Sequence, residues 1–285
     1  MNDKNDVNRS SFRSGGNSCG ADQSEQIIME NMGRIKHKIV VLSGKGGVGK
    51  STVAVNLAVS LAEKGFNVGL MDVDIHGPSV PKLLGLDGVM ALGAGKQIYP
   101  VKYSDNLKVM SVAFLMEDAD EAVVWRGSLK MRLIRQFLTD VVWGGLDYLI
   151  VDSPPGTGDE PLSVCQMIPD PDGAVIVTTP QDVALADVRK SVTFCRQLKM
   201  NVIGVIENMS TFVCPHCGET TDIFKSGGGE SMAEEMDVKF LGKLPLEPHI
   251  VHSGDSGNPF STMVSGGPAY AMEKFSIIVD SIIKG

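Results

Sequence analysis

The sequence predicts an α/β fold, a doubly wound and mostly parallel sheet with helices on both faces. Two observations carry this prediction. Short, continuous apolar runs recur along the chain, and stretches with helical spacing lie between most of them. Continuous apolar runs are typical of parallel strands buried on both faces, and right-handed crossovers place the connecting helices on the two sides of the sheet.

The elements follow in order from residue 38. Seven apolar runs are predicted as strands: 39–42, 66–71, 107–112, 148–151, 174–177, 202–206 and 240–241. Four stretches repeat apolar residues at helical spacing and are predicted as helices: 51–64, 129–138, 183–198 and 269–283. We find no internal repeat. Together they predict a single domain over residues 37–285.

The region before this domain is predicted to be a polar tail. Residues 1–25 are rich in Asn, Ser, Gly and Asp, and such a composition buries too little apolar surface to fold by itself. Residues 26–37 are mildly amphipathic and fit a short helix. We therefore expect residues 1–36 to be a mainly disordered tail.

Composition excludes several classes of function. The 285 residues are 43% apolar, which is enough for one sizeable core, and the net charge of -8 disfavours non-specific binding to nucleic acid. No apolar run reaches the ~18 residues of a membrane span, and the polar N-terminus does not look like a signal peptide. We expect a cytoplasmic protein without membrane or nucleic-acid partners, whose five cysteines are thiols or metal ligands.

A glycine-rich loop follows the first predicted strand and precedes the first predicted helix of the domain. It consists of Gly44, Lys45, Gly46, Gly47, Val48, Gly49, Lys50, Ser51 and Thr52. This is the G-x-x-x-x-G-K-S phosphate-binding pattern in its required strand–loop–helix context. Backbone N–H groups of such a loop point at phosphate oxygens, Lys50 reaches the β- and γ-phosphates, and the Ser51 hydroxyl coordinates magnesium.

The second lysine of the loop gives a more specific pattern. Lys-Gly-Gly-Val-Gly-Lys-Ser-Thr, beginning at Lys45, resembles the deviant Walker A loop of the MinD, ParA and nitrogenase-iron-protein class. The resemblance implies that Lys45 reaches across a nucleotide-sandwich dimer and stabilises the transferring phosphoryl group from the partner chain. A solvated loop lysine is the alternative.

Two further strands end in aspartates. Asp72 and Asp74 follow the second predicted strand, and Asp152 ends the run 148–151 in the Walker B manner. Asp74 matches the switch I position of the class, where it would position the attacking water and contact the magnesium shell. Asp72 is the alternative candidate for this role. A purely structural alternative is that either aspartate caps the next element. Asp152 is expected to hold a magnesium-bound water, and the loop 153–159 is placed to sense the γ-phosphate.

Cys214 and Cys217 form a C-x-x-C pair. Two thiolates at this spacing hold one face of a metal or Fe–S cluster, and a twofold dimer would supply the four ligands of a complete site. Structural zinc, with His216 as a possible third ligand, and a redox pair are the alternatives. The other three cysteines give weaker indications. Cys165 and Cys195 lie in apolar helical stretches and are expected to be core residues. Cys19 could be a spare ligand, but we expect it to have no role.

In order along the chain, six segments resemble the Mrp/ApbC group of P-loop ATPases, the iron–sulfur cluster carrier proteins. They are the phosphate loop, 71–79, 125–127, 152–159, 207–210 and 214–217, and the resemblance extends from about residue 36 to residue 285. It implies a homodimer that bridges a [4Fe-4S] cluster through Cys214 and Cys217 of both chains and transfers it to apo-proteins after loading from a donor. It also implies that Asn208 and the loop with Pro245 lie near the adenine of ATP.

The sequence departs from this family in two places. Eukaryotic relatives carry four cysteines near the N-terminus, whereas only Cys19 is present here, so we do not expect a stable N-terminal cluster. The family's Trp-Arg-Gly-Pro motif has Ser128 in its last place here.

Two competing functions remain, a positioning ATPase like MinD or ParA and a zinc-stabilised nucleotide switch. The apolar stripe of 272–282 predicts a core-facing helix and disfavours the first.

Overall fold

The computed structural model describes residues 18–116, 127–214, 216–262 and 269–284. Its strands are β1 (Ile35–Ser43), β2 (Val68–Asp72), β3 (Leu92–Ala94), β4 (Gln97–Tyr99), β5 (Val101–Lys102), β6 (Leu107–Ser111), β7 (Leu146–Asp152), β8 (Gly173–Thr178), β9 (Val202–Glu207), β10 (Phe212–Val213), β11 (Thr220–Thr221) and β12 (Phe240–Lys243). Eight of them form one sheet in the order β12-β9-β8-β1-β7-β2-β6-β5. Only the edge pair of β5 and β6 is antiparallel in this sheet.

Helices cover both faces of the sheet. They are α1 (Ser18–Met32), α2 (Lys50–Glu63), α3 (Val80–Leu83), α4 (Gly127–Thr139), α5 (Asp159–Met167), α6 (Asp182–Gln197), α7 (Gly228–Glu235), α8 (Pro248–Asp255) and α9 (Ala269–Ile283), with 3-10 turns at Val112–Leu115 and Phe260–Thr262. The apolar layer on one face contains side chains of α2, α3 and α9. The layer on the other contains side chains of α1, α4, α5, α6 and α7. The predicted α/β class is confirmed.

All seven predicted strands and the four predicted helices overlap elements of matching type. The short helix expected over residues 26–37 overlaps α1, but the disorder predicted up to residue 36 is wrong at the C-terminal end of the tail. Helix α1 begins at Ser18, and β1 begins at Ile35, before the predicted boundary at residue 36. Ile28 and Met32 are buried in the apolar layer, and the Asn31 amide donates to the carbonyls of Leu138 and Thr139, 3.1 and 2.9 Å away. Contacts with α4 therefore stabilise a helix that would be marginal in isolation.

The strand register brings the polar strand ends together at one edge of the sheet. Asp72 is the register partner of Asp152 on β7, and Val41 of β1 is the partner of the same aspartate. Because parallel strands present their carboxyl ends at one edge, the phosphate loop after β1 and the aspartates after β2 and β7 face one crevice. In the described part of the chain, no helix is long and apolar enough to cross a bilayer.

Candidate functional site

The phosphate loop connects β1 to α2 and has the glycine geometry that such a loop requires. Gly47 and Gly49 have φ values of +78° and +86°, a region that favours residues without a Cβ. A Cβ on Gly44 would lie 2.6 Å from the backbone of Asp187, and one on Gly49 would overlap the side-chain amide of Asn208. The glycines therefore serve both the curl of the loop and its close packing against neighbouring elements.

The ammonium group of Lys50 has three side-chain oxygen atoms as neighbours. Its Nζ is 2.5 Å from Oδ1 of Asp152, 3.6 Å from Oδ2 of Asp74 and 3.3 Å from Oγ of Ser51. Lys50 and Asp152 are buried, and Oδ2 of Asp152 has no partner among the described residues. Carboxylate and hydroxyl oxygens are the donors that magnesium prefers, so Ser51, Asp74 and Asp152 form a set that fits Mg²⁺.

Asp72 and Asp74 have different surroundings. Asp72 is fully buried and accepts hydrogen bonds from the Ser111 hydroxyl (2.9 Å) and the Asp74 backbone N–H (3.1 Å). Burial, together with the charge of Asp152, raises the pKa of Asp72 to about 8. Burial also raises the pKa of Asp74, although Lys50 opposes this shift. Asp72 thus supports the backbone of Asp74, while the Asp74 carboxylate faces Lys50.

Lys45 lies in the first turn of the loop and is partly exposed. Its backbone carbonyl accepts a hydrogen bond from the Ser43 hydroxyl at 2.9 Å, which fixes the start of the loop. Within the described ranges, no carboxylate pairs with the Lys45 ammonium group. This distinguishes it from Lys50, whose charge is balanced inside the chain.

A cavity of about 350 Å³ adjoins the loop, and the structure brings the two residues expected near the adenine into it. Gly49 and Thr52 line this cavity together with Asn208, Pro245 and Leu246. The Asn208 amide donates to the Val48 carbonyl at 2.9 Å. The end of β9 is therefore bonded directly to the phosphate loop.

Hydrogen bonds and an ion pair connect the loop after Asp152, and the helix that follows it, to neighbouring segments. The Gly156 N–H donates to the Ser43 carbonyl at 2.8 Å, directly before the phosphate loop. Farther along, Lys130 of α4 is buried and pairs with Glu160 of α5, and its Nζ is 2.5 Å from Nε2 of His76. Burial alone would raise the pKa of Glu160, but hydrogen bonds from Lys130 and His76 lower it. One ammonium group thus joins the segment after Asp74 to the helix after the 153–158 loop.

The cysteine pair lies at the turn of a short hairpin formed by β10 and β11. The Cys214 N–H donates to the Glu219 carbonyl, and the Gly218 N–H donates to the Cys214 carbonyl, both at 2.9 Å. Cys214 is half-buried and Cys217 is exposed. Backbone N–H groups of Cys217 and His216 lower the pKa of the Cys214 thiol. The turn therefore favours a thiolate at its surface.

The other described thiols have the opposite character. Burial raises the pKa of Cys165 to about 12 and that of Cys195 to about 11, as expected for core residues. Across the described ranges, no group of three or more His, Cys, Asp or Glu side chains is arranged to hold a metal ion. His216 thus does not complete such a group with the cysteine pair within one chain. The predictions for Cys19, Trp125 and Arg126 fall on side chains outside the described set.

Residues 34–283 match the model of a protein family described as NUBPL iron-transfer P-loop NTPases, within the ParA group. The chain belongs to this family. It is 50% identical over 262 residues to an iron–sulfur cluster carrier protein of Methanocaldococcus jannaschii, covering 92% of this chain and 89% of that protein. It is 46% identical over 260 residues to a protein of Nematostella vectensis named cytosolic Fe-S cluster assembly factor NUBP2 homolog, covering 90% of this chain and 96% of that one.

Solved structures share the fold of this chain. A nucleotide-binding protein of Archaeoglobus fulgidus, solved with ADP and found to contain cobalt, is 41% identical with a TM-score of 0.72, covering 82% of this chain and 91% of that one. The cell-division ATPase MinD of Pyrococcus furiosus aligns with a TM-score of 0.62 at 22% identity, covering 87% of this chain and 98% of that one, and shows a shared fold alone. The predicted membership of the iron–sulfur cluster carrier family of P-loop NTPases is confirmed.

Two residues of this family member were missed by sequence reasoning. Lys130 was treated only as part of a predicted helix, although it precedes Ile134 and Phe137 at helical spacing and thus lies on the buried stripe of α4. Glu207 ends an apolar strand and is followed twenty residues later by three glycines, Gly227 to Gly229. That pairing is not apparent without the fold.

Proposed function

We propose that this family member is an ATP-hydrolysing carrier or scaffold for an iron–sulfur cluster, which two copies of the chain bind between them and transfer to apo-proteins. The observation that carries the proposal is the pairing of two features in one chain. The chain carries a phosphate loop with its lysine and acidic partners, and it also carries a surface hairpin that presents two thiols. Among the described residues, no group of three or more His, Cys, Asp or Glu side chains is arranged to hold a metal ion. The family's name and the names of the relatives support the assignment.

The cluster would be cargo, held by Cys214 and Cys217 of each copy. A cubane [4Fe-4S] cluster takes four thiolates, and each chain offers two at its hairpin turn. The lowered pKa of Cys214 suits this role, since a thiolate is the form that binds iron. A twofold axis through the cluster would bring the two turns face to face. The homodimer of this proposal follows from that count of ligands.

The nucleotide would bind with its phosphates in the 44–52 loop and its adenine in the cavity beside Asn208 and Pro245. Lys50 would then exchange part of its contact with Asp152 and Asp74 for contact with the phosphates. Ser51, Asp74 and Asp152 would hold Mg²⁺, which neutralises phosphate charge. The ADP bound by the Archaeoglobus fulgidus protein supports nucleotide binding by this chain.

Hydrolysis would be slow and tied to the geometry of the dimer. Lys45 would complete the partner's site, because its ammonium pairs with no carboxylate of the described residues and can contact the phosphates of the facing chain. Asp74 would position the attacking water, and its raised pKa suits a group that accepts a proton. We place the protein in the cytosol, as the name of the Nematostella vectensis relative suggests. Its partners would be a cluster donor and apo iron–sulfur proteins.

Anaerobic reconstitution with iron and sulfide tests the cluster half of this proposal. We expect Cys214→Ala and Cys217→Ala each to lose the cluster, with the visible absorbance and the acid-labile sulfide that accompany it. Cys165→Ala is the matched control, since its thiol is buried away from the hairpin. If both hairpin variants bind iron and sulfide like the wild type, the cluster assignment is wrong.

Lys50→Ala tests the nucleotide half. The substitution removes the cation that faces the phosphates and leaves Asp74 and Asp152 unbalanced, so ATP hydrolysis should fall to background. Lys64→Ala, whose ammonium pairs with Asp280 on the surface, is the control. Normal hydrolysis by Lys50→Ala would refute the assigned role of the loop.

A further inference from the structure

Glu207 occupies an unusual position at the carboxyl end of β9. Its side chain is fully buried, yet it lies immediately before Asn208, which is bonded to the phosphate loop. The nucleotide site itself makes no use of this carboxylate. Its partners belong to the segment that carries the cysteines.

Three donors converge on the Glu207 carboxylate. Oε1 accepts hydrogen bonds from the Ser210 hydroxyl at 2.5 Å and from the Gly227 N–H at 3.0 Å, and Oε2 accepts one from the Gly229 N–H at 2.5 Å. All three groups donate, and a carboxylate accepts at both oxygens. The carboxylate is therefore fully partnered.

These partners lie at the two ends of one segment. Ser210 begins the stretch 210–226, which contains β10, both cysteines and β11, and Gly227 follows its last residue. The Ser210 and Ser226 hydroxyls are also 3.1 Å apart. The Glu207 carboxylate is thus hydrogen-bonded to both ends of the cysteine-containing segment 210–226.

The local backbone explains why a glutamate from another element is needed. Gly227 is the N-cap of α7 with a φ of +83°, and it has no side chain to cap the helix. Glu207 takes that function and places its charge at the positive end of α7. A Cβ on Gly229 would lie 3.0 Å from Oε2 of Glu207, so the glycines allow the close approach.

We propose that Glu207 is a positioning residue for the cysteine pair, holding both ends of the 210–226 segment so that Cys214 and Cys217 keep a fixed place opposite a second copy. This inference rests on the proposed cluster-carrier function. Glu207 and Asn208 then divide the end of β9 between them. Glu207 fixes the cysteine segment, and Asn208 fixes the phosphate loop.

The test compares Glu207→Gln with Ser226→Ala and two reference variants. Gln keeps the size of Glu207, but its NH₂ group must face a backbone N–H that donates a hydrogen bond to the carboxylate in the wild type. Because two donors then face each other, at least one backbone hydrogen bond is lost. Ser226→Ala removes the second closure from an exposed position with little risk to folding. Glu230→Gln, on the surface of α7 and paired with Lys243, is the matched control.

Each variant is reconstituted anaerobically, and release of iron to a chelator is followed together with ADP affinity and Tm. We expect iron release to be about tenfold faster in Glu207→Gln and about twofold faster in Ser226→Ala. ADP affinity should stay within about twofold of the wild type in both, and Glu230→Gln should match the wild type throughout. Asn208→Ala should show the reverse pattern, with weaker ADP binding and normal iron release.

Two results would overturn the inference. One is wild-type iron release in both Glu207→Gln and Ser226→Ala. The other is a parallel loss of iron and of ADP affinity in Glu207→Gln, which would make Glu207 a general fold residue. Cys217→Ala in the same series separates this inference from the proposed function. Retention of iron by Cys217→Ala contradicts the carrier function itself, whereas loss of iron there with wild-type release in both Glu207→Gln and Ser226→Ala contradicts the positioning role alone.

Discussion

The phosphate loop and the cysteine hairpin are supported in contrasting ways. The loop begins and ends in long buried elements, and the charge of Lys50 is balanced by two carboxylates of the same chain. The hairpin consists of two strands of two residues each, with an exposed thiol at its turn. The comparison indicates that one chain can build most of a phosphate site, while its metal ligands are only half of a set.

Thiol reactivity should separate the two regions most strongly. In the apo-protein at about pH 7.5, Cys214 should react with iodoacetamide at least about 10²-fold faster than Cys195 and at least about 10³-fold faster than Cys165. Burial raises the pKa of Cys195 to about 11 and that of Cys165 to about 12, which removes the reactive thiolate, whereas the pKa of Cys214 is lowered. Peptide mass spectrometry over time measures each rate. Equal rates would mean that the core around α5 and α6 is open.

Lys45→Ala tests whether the phosphate site is complete within one chain. We expect kcat for ATP hydrolysis to fall about 10²-fold, with nucleotide affinity nearly unchanged. The loss should be smaller than that caused by removing an arginine finger, because the lysine ammonium is a point charge and cannot form bidentate hydrogen bonds. Steady-state kinetics and a titration with a fluorescent nucleotide give the two quantities. Mixing this variant with Lys50→Ala should restore part of the activity if Lys45 acts on the partner's nucleotide, and a failure to restore any would contradict action in trans.

Lys130→Met tests the internal bonding of the nucleotide region. The free energy of unfolding should fall by about 2 kcal/mol, because Glu160 and His76 lose their shared buried donor. Urea denaturation measures the change. The control is Lys190→Met on the surface of α6, whose pair with Asp187 should contribute less than about 0.5 kcal/mol. Equal effects of the two substitutions would mean that the Lys130 cluster adds no rigidity.

Asn208→Ala should have the smallest effect. Loss of its hydrogen bond to the Val48 carbonyl should weaken ADP binding by about 1 kcal/mol, or roughly fivefold. Isothermal titration calorimetry measures the affinity, with Asn201→Ala, which bonds a surface carbonyl, as the control. An unchanged affinity would show that the bond does not hold the loop in its binding conformation.

The features that sequence predicted well are local ones. The apolar runs, the 44–52 loop and the C-x-x-C spacing depend on neighbouring residues, and so the sheet, the phosphate loop and the cysteine pair could be predicted from the sequence. A short helix was expected only over residues 26–37, and the earlier start and the burial of α1 were missed because they depend on contacts with α4, about 100 residues away in sequence. The roles of Glu207, which was noted only within the 207–210 segment, and of Lys130 were missed for the same reason, since their partners lie on other elements and a charged residue by itself suggests a surface position.

The measurement that tests the central claim most directly is metal analysis of the anaerobically purified wild-type protein together with its mass in solution. A cluster shared by the hairpins of two chains predicts a dimer with about four iron atoms and about four sulfides, and with no stoichiometric zinc. The same analysis of Cys214→Ala should give an iron-free protein. A monomer that carries one zinc ion, or a dimer whose iron persists in Cys214→Ala, would contradict the account.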